Sequence, residues 1–135
     1  MTDIERLAQA VEAFGDVRLG ERLARHTTFG VGGPADVFLT ARDGESLGRA
    51  VVAARDADAP VFILGSGSNI LVADAGIRGL VIDNRARRET ASEDGLTYRI
   101  ESGTSFAAFA RKMCRIGKAG LAWAVGIPGT LGGGF

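Results

Sequence analysis

The chain has 135 residues, 46% apolar and 24% charged, which allows one ordinary hydrophobic core and excludes an intrinsically disordered chain. Its 16 basic and 16 acidic residues cancel, so no global field favours nucleic acid. A single cysteine (Cys114) and a single histidine (His26) exclude an internal disulfide and argue against a zinc site, and no apolar run is long enough to span a bilayer.

Met1 to Arg6 carries acidic residues and no apolar h-region, so it does not read as a signal peptide. A cytoplasmic protein is expected. Ile4, Leu7, Ala8, Val11 and Phe14 then recur at helical spacing, with Thr2 or Asp3 as cap and Gly15 as stop. Residues 16 to 26 are polar and Arg-rich and read as irregular. A first glycine cluster, Thr27 to Pro34, leads into a strand over Ala35 to Thr40. Leu47, Ala50, Val51 and Ala54 give a helix starting near Ser46.

Val61 to Leu64 is a continuous apolar run, expected as a strand buried on both faces. A Gly-Ser loop, Ile70 to Val72, a turn at Gly76 to Gly79 and a strand over Leu80 to Asp83 follow. Arg85 to Gly95 reads as an exposed hairpin connection and Leu96 to Glu101 as a strand. Ser105 to Ile116 is a helix with the stripe Phe106, Phe109, Ala110, Met113 and Ile116, and Gly117 stands where a left-handed residue ends it. Strands and helices intermix, so the fold class is α+β.

Two of the glycine-rich segments could carry chemistry. Gly65-Ser66-Gly67-Ser68-Asn69 is not a Rossmann fingerprint, because Ile70 stands where the third glycine belongs, and no Lys-Ser or Lys-Thr pair makes it a Walker loop. Successive backbone N–H groups in such a loop can cup an anion; taken alone, the loop slightly favours a tight strand-to-strand turn with no ligand. Gly65 and Gly67 are expected in conformations that a β-carbon disfavours. Gly126-Ile127-Pro128-Gly129-Thr130-Leu131-Gly132-Gly133-Gly134 tips the balance toward a ligand. Its glycines give up much backbone entropy, and Ile127 and Leu131 anchor it as a flexible linker would not.

Four ordered blocks then carry a resemblance: Thr28 to Ala35, Leu64 to Val72, Gly76 to Ile82, and Gly120-Leu121 with Gly126 to Gly133. Together they resemble the N-terminal, FAD-binding part of UDP-N-acetylenolpyruvoylglucosamine reductase. The resemblance implies an FAD-binding fold of the vanillyl-alcohol-oxidase type, with two small α+β subdomains, the first over about 1–83 and the second starting over about 84–135. It implies FAD as cofactor, NADPH as co-substrate and a UDP-sugar enolpyruvyl ether as substrate, in peptidoglycan synthesis. By the same likeness Gly65, Ser66, Gly67, Ser68 and Asn69 would hold the FAD diphosphate. Gly126, Ile127, Pro128, Gly129, Thr130, Gly132 and Gly133 would run along the flavin, and Thr27 to Gly33 would support the subdomain junction.

The sequence departs from the family pattern at Ala122, where a glutamate is usual. It also ends before the family's Asn-Ala-Gly stretch, arginine, serine proton donor and distant glutamate. No catalytic or metal-binding residue is therefore assigned, and the chain alone is expected to be inactive. The alternatives are a truncated fragment that only binds nucleotide, and another flavin oxidase of the same cofactor fold. The latter usually tethers FAD through a His or Cys near the loop, and Gly65 to Asn69 contains neither. Among single residues, His26 reads as a turn residue, Cys114 as a core or boundary thiol, Trp123 as core, and Arg85, Arg87 and Arg88 as solvated charge.

Overall fold

A computed structural model describes residues 1–135. Helix α1 (Asp3–Val11) starts at a full capping box: Thr2 Oγ1 accepts the Glu5 N–H at 3.2 Å, and Glu5 accepts the Thr2 N–H at 2.7 Å. Strand β1 (Asp16–Arg22) follows and runs antiparallel to β2 (Pro34–Ala41), from Asp16 opposite Thr40 to Arg22 opposite Pro34. The expectation of an irregular stretch over 16 to 26 is corrected here. Polar sequence is tolerated in β1 because it is an edge strand, held by its ladder with one side open to water.

Helix α2 (Gly44–Asp56) is capped by Asp43, which accepts the Ser46 N–H at 2.8 Å. It crosses over to β3 (Val61–Leu64), which pairs in parallel with β4 (Ile77–Asn84), and β4 pairs in parallel with β2. The sheet order is therefore β1-β2-β4-β3. This makes β3 an edge, not the doubly buried strand its apolar run suggested: Phe62 and Ile63 are 38% and 48% exposed, and only Leu64 is buried.

Alternation along β2 and β4 divides the core between the two faces of the sheet. Val37, Leu39, Leu80 and Ile82 pack with Leu7, Val11, Ala50 and Ala54 of the helices. Phe38 and Val81 point the other way, toward Leu23, Leu64 and Val72.

Beyond β4 the chain makes a separate two-stranded hairpin, β5 (Glu89–Ala91) with β6 (Tyr98–Ile100), turned at Gly95 with φ +67°. The hairpin was expected, but the stretch before it is not wholly exposed, since Ala86 is completely buried. Helix α3 (Phe106–Arg115) is capped by Ser105 and ends at Gly117 with φ +75°, as read from the sequence. Its Phe106 and Ala110 form a third cluster with Ala124 and Leu131, the latter opening the short helix α4 (Leu131–Gly134).

Three single-residue readings change. Trp123 is 64% exposed; its indole N–H donates to the Gly120 carbonyl at 2.9 Å, and its ring meets Phe106 edge-on at 5.6 Å, shielding that core residue from outside. Cys114 is exposed, because it lies one position round the helix from buried Met113. Ile116 ends the stripe 53% exposed, beyond the covered part of α3. No helix is long and apolar enough to cross a membrane.

Candidate cofactor-binding site

The Gly65–Asn69 loop leaves the end of β3, and the Gly126–Gly133 segment arrives from the far side of α3. The two meet at Gly65 and Thr130. A β-carbon at Gly65 would lie 2.8 Å from Thr130 Oγ1, so no side chain fits between them. Gly65 is not in the left-handed region; closeness, not φ, demands glycine there. Gly129 has φ +108°, and a β-carbon on it would meet Ser68 Oγ at 3.4 Å. Ser66 and Ser68 share a hydroxyl–hydroxyl bond of 3.1 Å across the loop.

Gly67 does adopt the expected left-handed backbone, at φ +69°. Its missing β-carbon would sit 1.9 Å from the His26 carbonyl oxygen, and its own carbonyl accepts the Thr28 N–H at 2.9 Å. The His26–Thr28 segment is thus laid directly beneath the loop. The Thr27 to Gly33 block is further tied down through Leu23 N–H to Gly33 and Gly33 N–H to Ala73, at 3.0 and 2.9 Å.

Between the two loops runs a groove of about 530 Å³. It is lined by Gly65, Ser66, Gly67, Ser68 and Asn69 on one side and by Ile127, Pro128, Gly129, Thr130 and Gly133 on the other, with Phe62, Ile63 and Ile70 adding apolar wall. Two of the residues singled out in the sequence lie elsewhere. Gly126 is exposed with open space around it. Gly132 packs on Ser102, donating its N–H to the Ser102 carbonyl at 2.9 Å. The largest cleft, about 700 Å³ and mostly apolar, is lined by Phe106 and Leu131 of the third cluster together with Tyr98, Phe109 and Met113; of the glycine-loop residues singled out in the sequence, Gly132 alone lines it.

A second cleft, of about 420 Å³ and with no apolar lining residue, shares Gly65, Ser66, Gly129 and Thr130 with the groove between the two loops. Sequence reasoning missed it as a unit. It gathers Arg25, His26, Thr27 and Thr28 with Asp83, Asn84, Arg85, Arg87, Gly103 and Ser105 from distant parts of the chain. The only sequence signal was the arginine cluster after Asn84. His26 is no simple turn residue: it bonds Glu21 through Nε2 at 2.9 Å and lies against the Phe38 ring at 4.4 Å between centroids. That bond, with Arg18 and Arg25 nearby, holds the buried Glu21 carboxyl below its ordinary value although burial opposes it.

A groove walled by glycine backbone and small hydroxyl residues, with an apolar flank, suits a phosphate-bearing cofactor with a ring. The chain belongs to the FAD binding domain family, whose pattern it matches over residues 35–135. It is similar to UDP-N-acetylenolpyruvoylglucosamine reductase 2 of Symbiobacterium thermophilum, at 41% identity over 131 residues, covering 97% of this chain and 42% of that protein. The corresponding reductase of Gloeobacter violaceus is 44% identical over 115 residues, which are 84% of this chain and 38% of that one. The crystal structure of UDP-N-acetylenolpyruvylglucosamine reductase from Thermus caldophilus superimposes with a TM-score of 0.61 at 33% identity, covering 87% of this chain and 40% of the other. The resemblance carried by the glycine blocks is therefore borne out, and the chain spans about two fifths of the length of these relatives.

Proposed function

We propose that this chain is the cofactor-holding part of a flavoenzyme that reduces UDP-N-acetylenolpyruvoylglucosamine to UDP-N-acetylmuramate with NADPH, in the cytoplasm. The observation that carries the reading is the meeting of two glycine segments, far apart in sequence, around one groove. Bound FAD supplies hydride transfer; the protein supplies position and electrostatics. Backbone N–H groups of Gly65 to Asn69 hold the diphosphate, with the Ser66 and Ser68 hydroxyls beside them. Ile127, Pro128 and Ile63 offer apolar surface to a ring, and Gly129 and Gly133 let the main chain approach it.

In this reading the four-stranded sheet, to about residue 83, is one half of the clamp, and residues 84–135 begin the other. Glu101 ties the halves together, accepting N–H bonds from Gly44 at 2.9 Å and from Arg88 at 2.8 Å. The test is a titration of the purified chain with FAD, followed by flavin fluorescence and by circular dichroism in the visible flavin bands. Saturable one-to-one binding is expected. A chain that is folded by far-ultraviolet dichroism yet leaves flavin fluorescence unchanged overturns the reading.

A further inference from the structure

We propose that Glu21 is a positioning residue for the cofactor loop: acting through the His26 imidazole, it fixes the His26–Thr28 backbone on which Gly65–Asn69 is seated. This rests on the reading of the groove as an FAD site and gives a part in it to a carboxylate that does not line the groove.

The first observation is an inversion of the usual burial along β1. Leu19 is 54% exposed, while Glu21 is the one buried residue of the strand. Burying a carboxylate costs free energy unless partners hold it, and such breaks with local preference gather where a fold does more than pack. Arg18 and Arg25 reach Glu21 at 3.3 and 3.8 Å, but both are mostly in solvent. The His26 imidazole, at 2.9 Å and 17% exposed, is its one shielded partner. An ionised carboxylate only accepts, so His26 Nε2 carries the proton and donates it to Glu21.

The second observation is where that bond leads. The imidazole is held from another side by the Phe38 ring, at 4.4 Å and 30° between planes. A ring fixed by two neighbours leaves its own backbone little freedom. That backbone is the floor of the loop: the His26 carbonyl oxygen is the atom nearest the missing β-carbon of Gly67, and the Thr28 N–H bonds the Gly67 carbonyl. Contact therefore runs from Glu21 through the imidazole and the His26 backbone to Gly67, and on to Gly65, which meets Thr130 across the groove. A loop held in its binding shape takes its ligand more tightly than one that must first be ordered.

The experiment compares four variants by flavin-fluorescence titration. Glu21→Leu keeps the bulk and removes both acceptor oxygens; Glu21→Gln keeps one oxygen able to accept the Nε2 proton. Val11→Ala opens the core on the other face of the sheet and controls for lost stability alone. His26→Phe keeps a ring against Phe38 and cannot donate. Glu21→Leu should weaken FAD binding about tenfold, the scale of one lost charge-assisted hydrogen bond. Glu21→Gln should recover most of that, and Val11→Ala should leave affinity unchanged. In the His26→Phe background Glu21→Leu should cost nothing further.

A flavin-free readout accompanies the titrations: amide hydrogen exchange at Thr28, taken relative to Val81 in the buried centre of β4. It should rise about tenfold in Glu21→Leu. His26→Phe reads the same bond from its other end and should raise it equally, which keeps the test decisive if Glu21→Leu does not fold. Unchanged Thr28 exchange, equal loss of affinity in Glu21→Leu and Val11→Ala, or full loss from Glu21→Leu when His26 is already phenylalanine overturns the proposal. A wild-type chain that ignores FAD overturns the functional reading instead, and Thr28 exchange still decides whether Glu21 holds the segment beneath the loop.

Discussion

Replacing Gly67 by alanine tests whether the glycine loop is built onto the His26–Thr28 segment. Two costs add. A non-glycine residue at φ +69° costs about 1–2 kcal/mol from backbone sterics alone. The new β-carbon would also stand 1.9 Å from the His26 carbonyl oxygen and 3.0 Å from Thr27 Cα, both backbone atoms that cannot swing aside. Relief requires the loop to lift, which breaks the Thr28 N–H bond to the Gly67 carbonyl, worth about 0.5–1.5 kcal/mol net. Gly67→Ala should therefore lose about 1.5–3.5 kcal/mol, or roughly 5–12 °C in Tm for a domain of this size.

Gly20 is the matched control. Its φ is +62°, close to that of Gly67, but nothing lies within 4 Å of where a β-carbon would go. Gly20→Ala should pay only the conformational part, about 1–2 kcal/mol. Thermal melts followed by far-ultraviolet dichroism read both variants. Equal Tm losses for the two would refute the claim that the loop is seated on the His26 backbone, leaving φ alone as the reason for glycine.

Gly65→Ala should push Thr130 away and spread the two loops, weakening FAD binding, whereas Gly65→Ala combined with Thr130→Ala removes the 2.8 Å clash and should recover much of it. Flavin-fluorescence titrations measure the cycle, and strictly additive losses would show that the loops do not communicate through this contact. Glu101→Gln should cost about 1–2 kcal/mol, because two backbone N–H groups lose a charged acceptor that is only partly shielded from water. Those bonds hold the Glu101 pKa below its ordinary value, so its contribution is full above that value and disappears as pH falls through the lowered one. Melting curves from neutral pH into acid should thus converge for wild type and Glu101→Gln, and parallel curves throughout would contradict the assignment.

The sequence by itself determined the local elements and the chemistry of the loops. Thr2 or Asp3 as cap, and Ser105 before an apolar stripe, marked helix starts that the structure keeps at Thr2 and Ser105, because capping and 3.6-residue periodicity act over a few neighbouring residues. Gly117 and Gly67 were legible for the same reason: a left-handed backbone is a property of one residue and its neighbours. The four glycine blocks were distinctive enough to point to the family without coordinates.

Tertiary structure alone decided what depends on partners distant in the chain. Asp16–Arg22 has little strand character of its own and becomes β1 because β2 offers it a ladder. Val61–Leu64 looks like a central strand, yet β4 inserts between it and β2 and leaves it at the edge. Gly65 needs no unusual φ; only the arrival of Thr130 explains it. The polar cleft exists because Arg25 to Thr28, Asp83 to Arg85 with Arg87, and Gly103 with Ser105 converge, and hydrophobic periodicity carries no information about where polar loops meet.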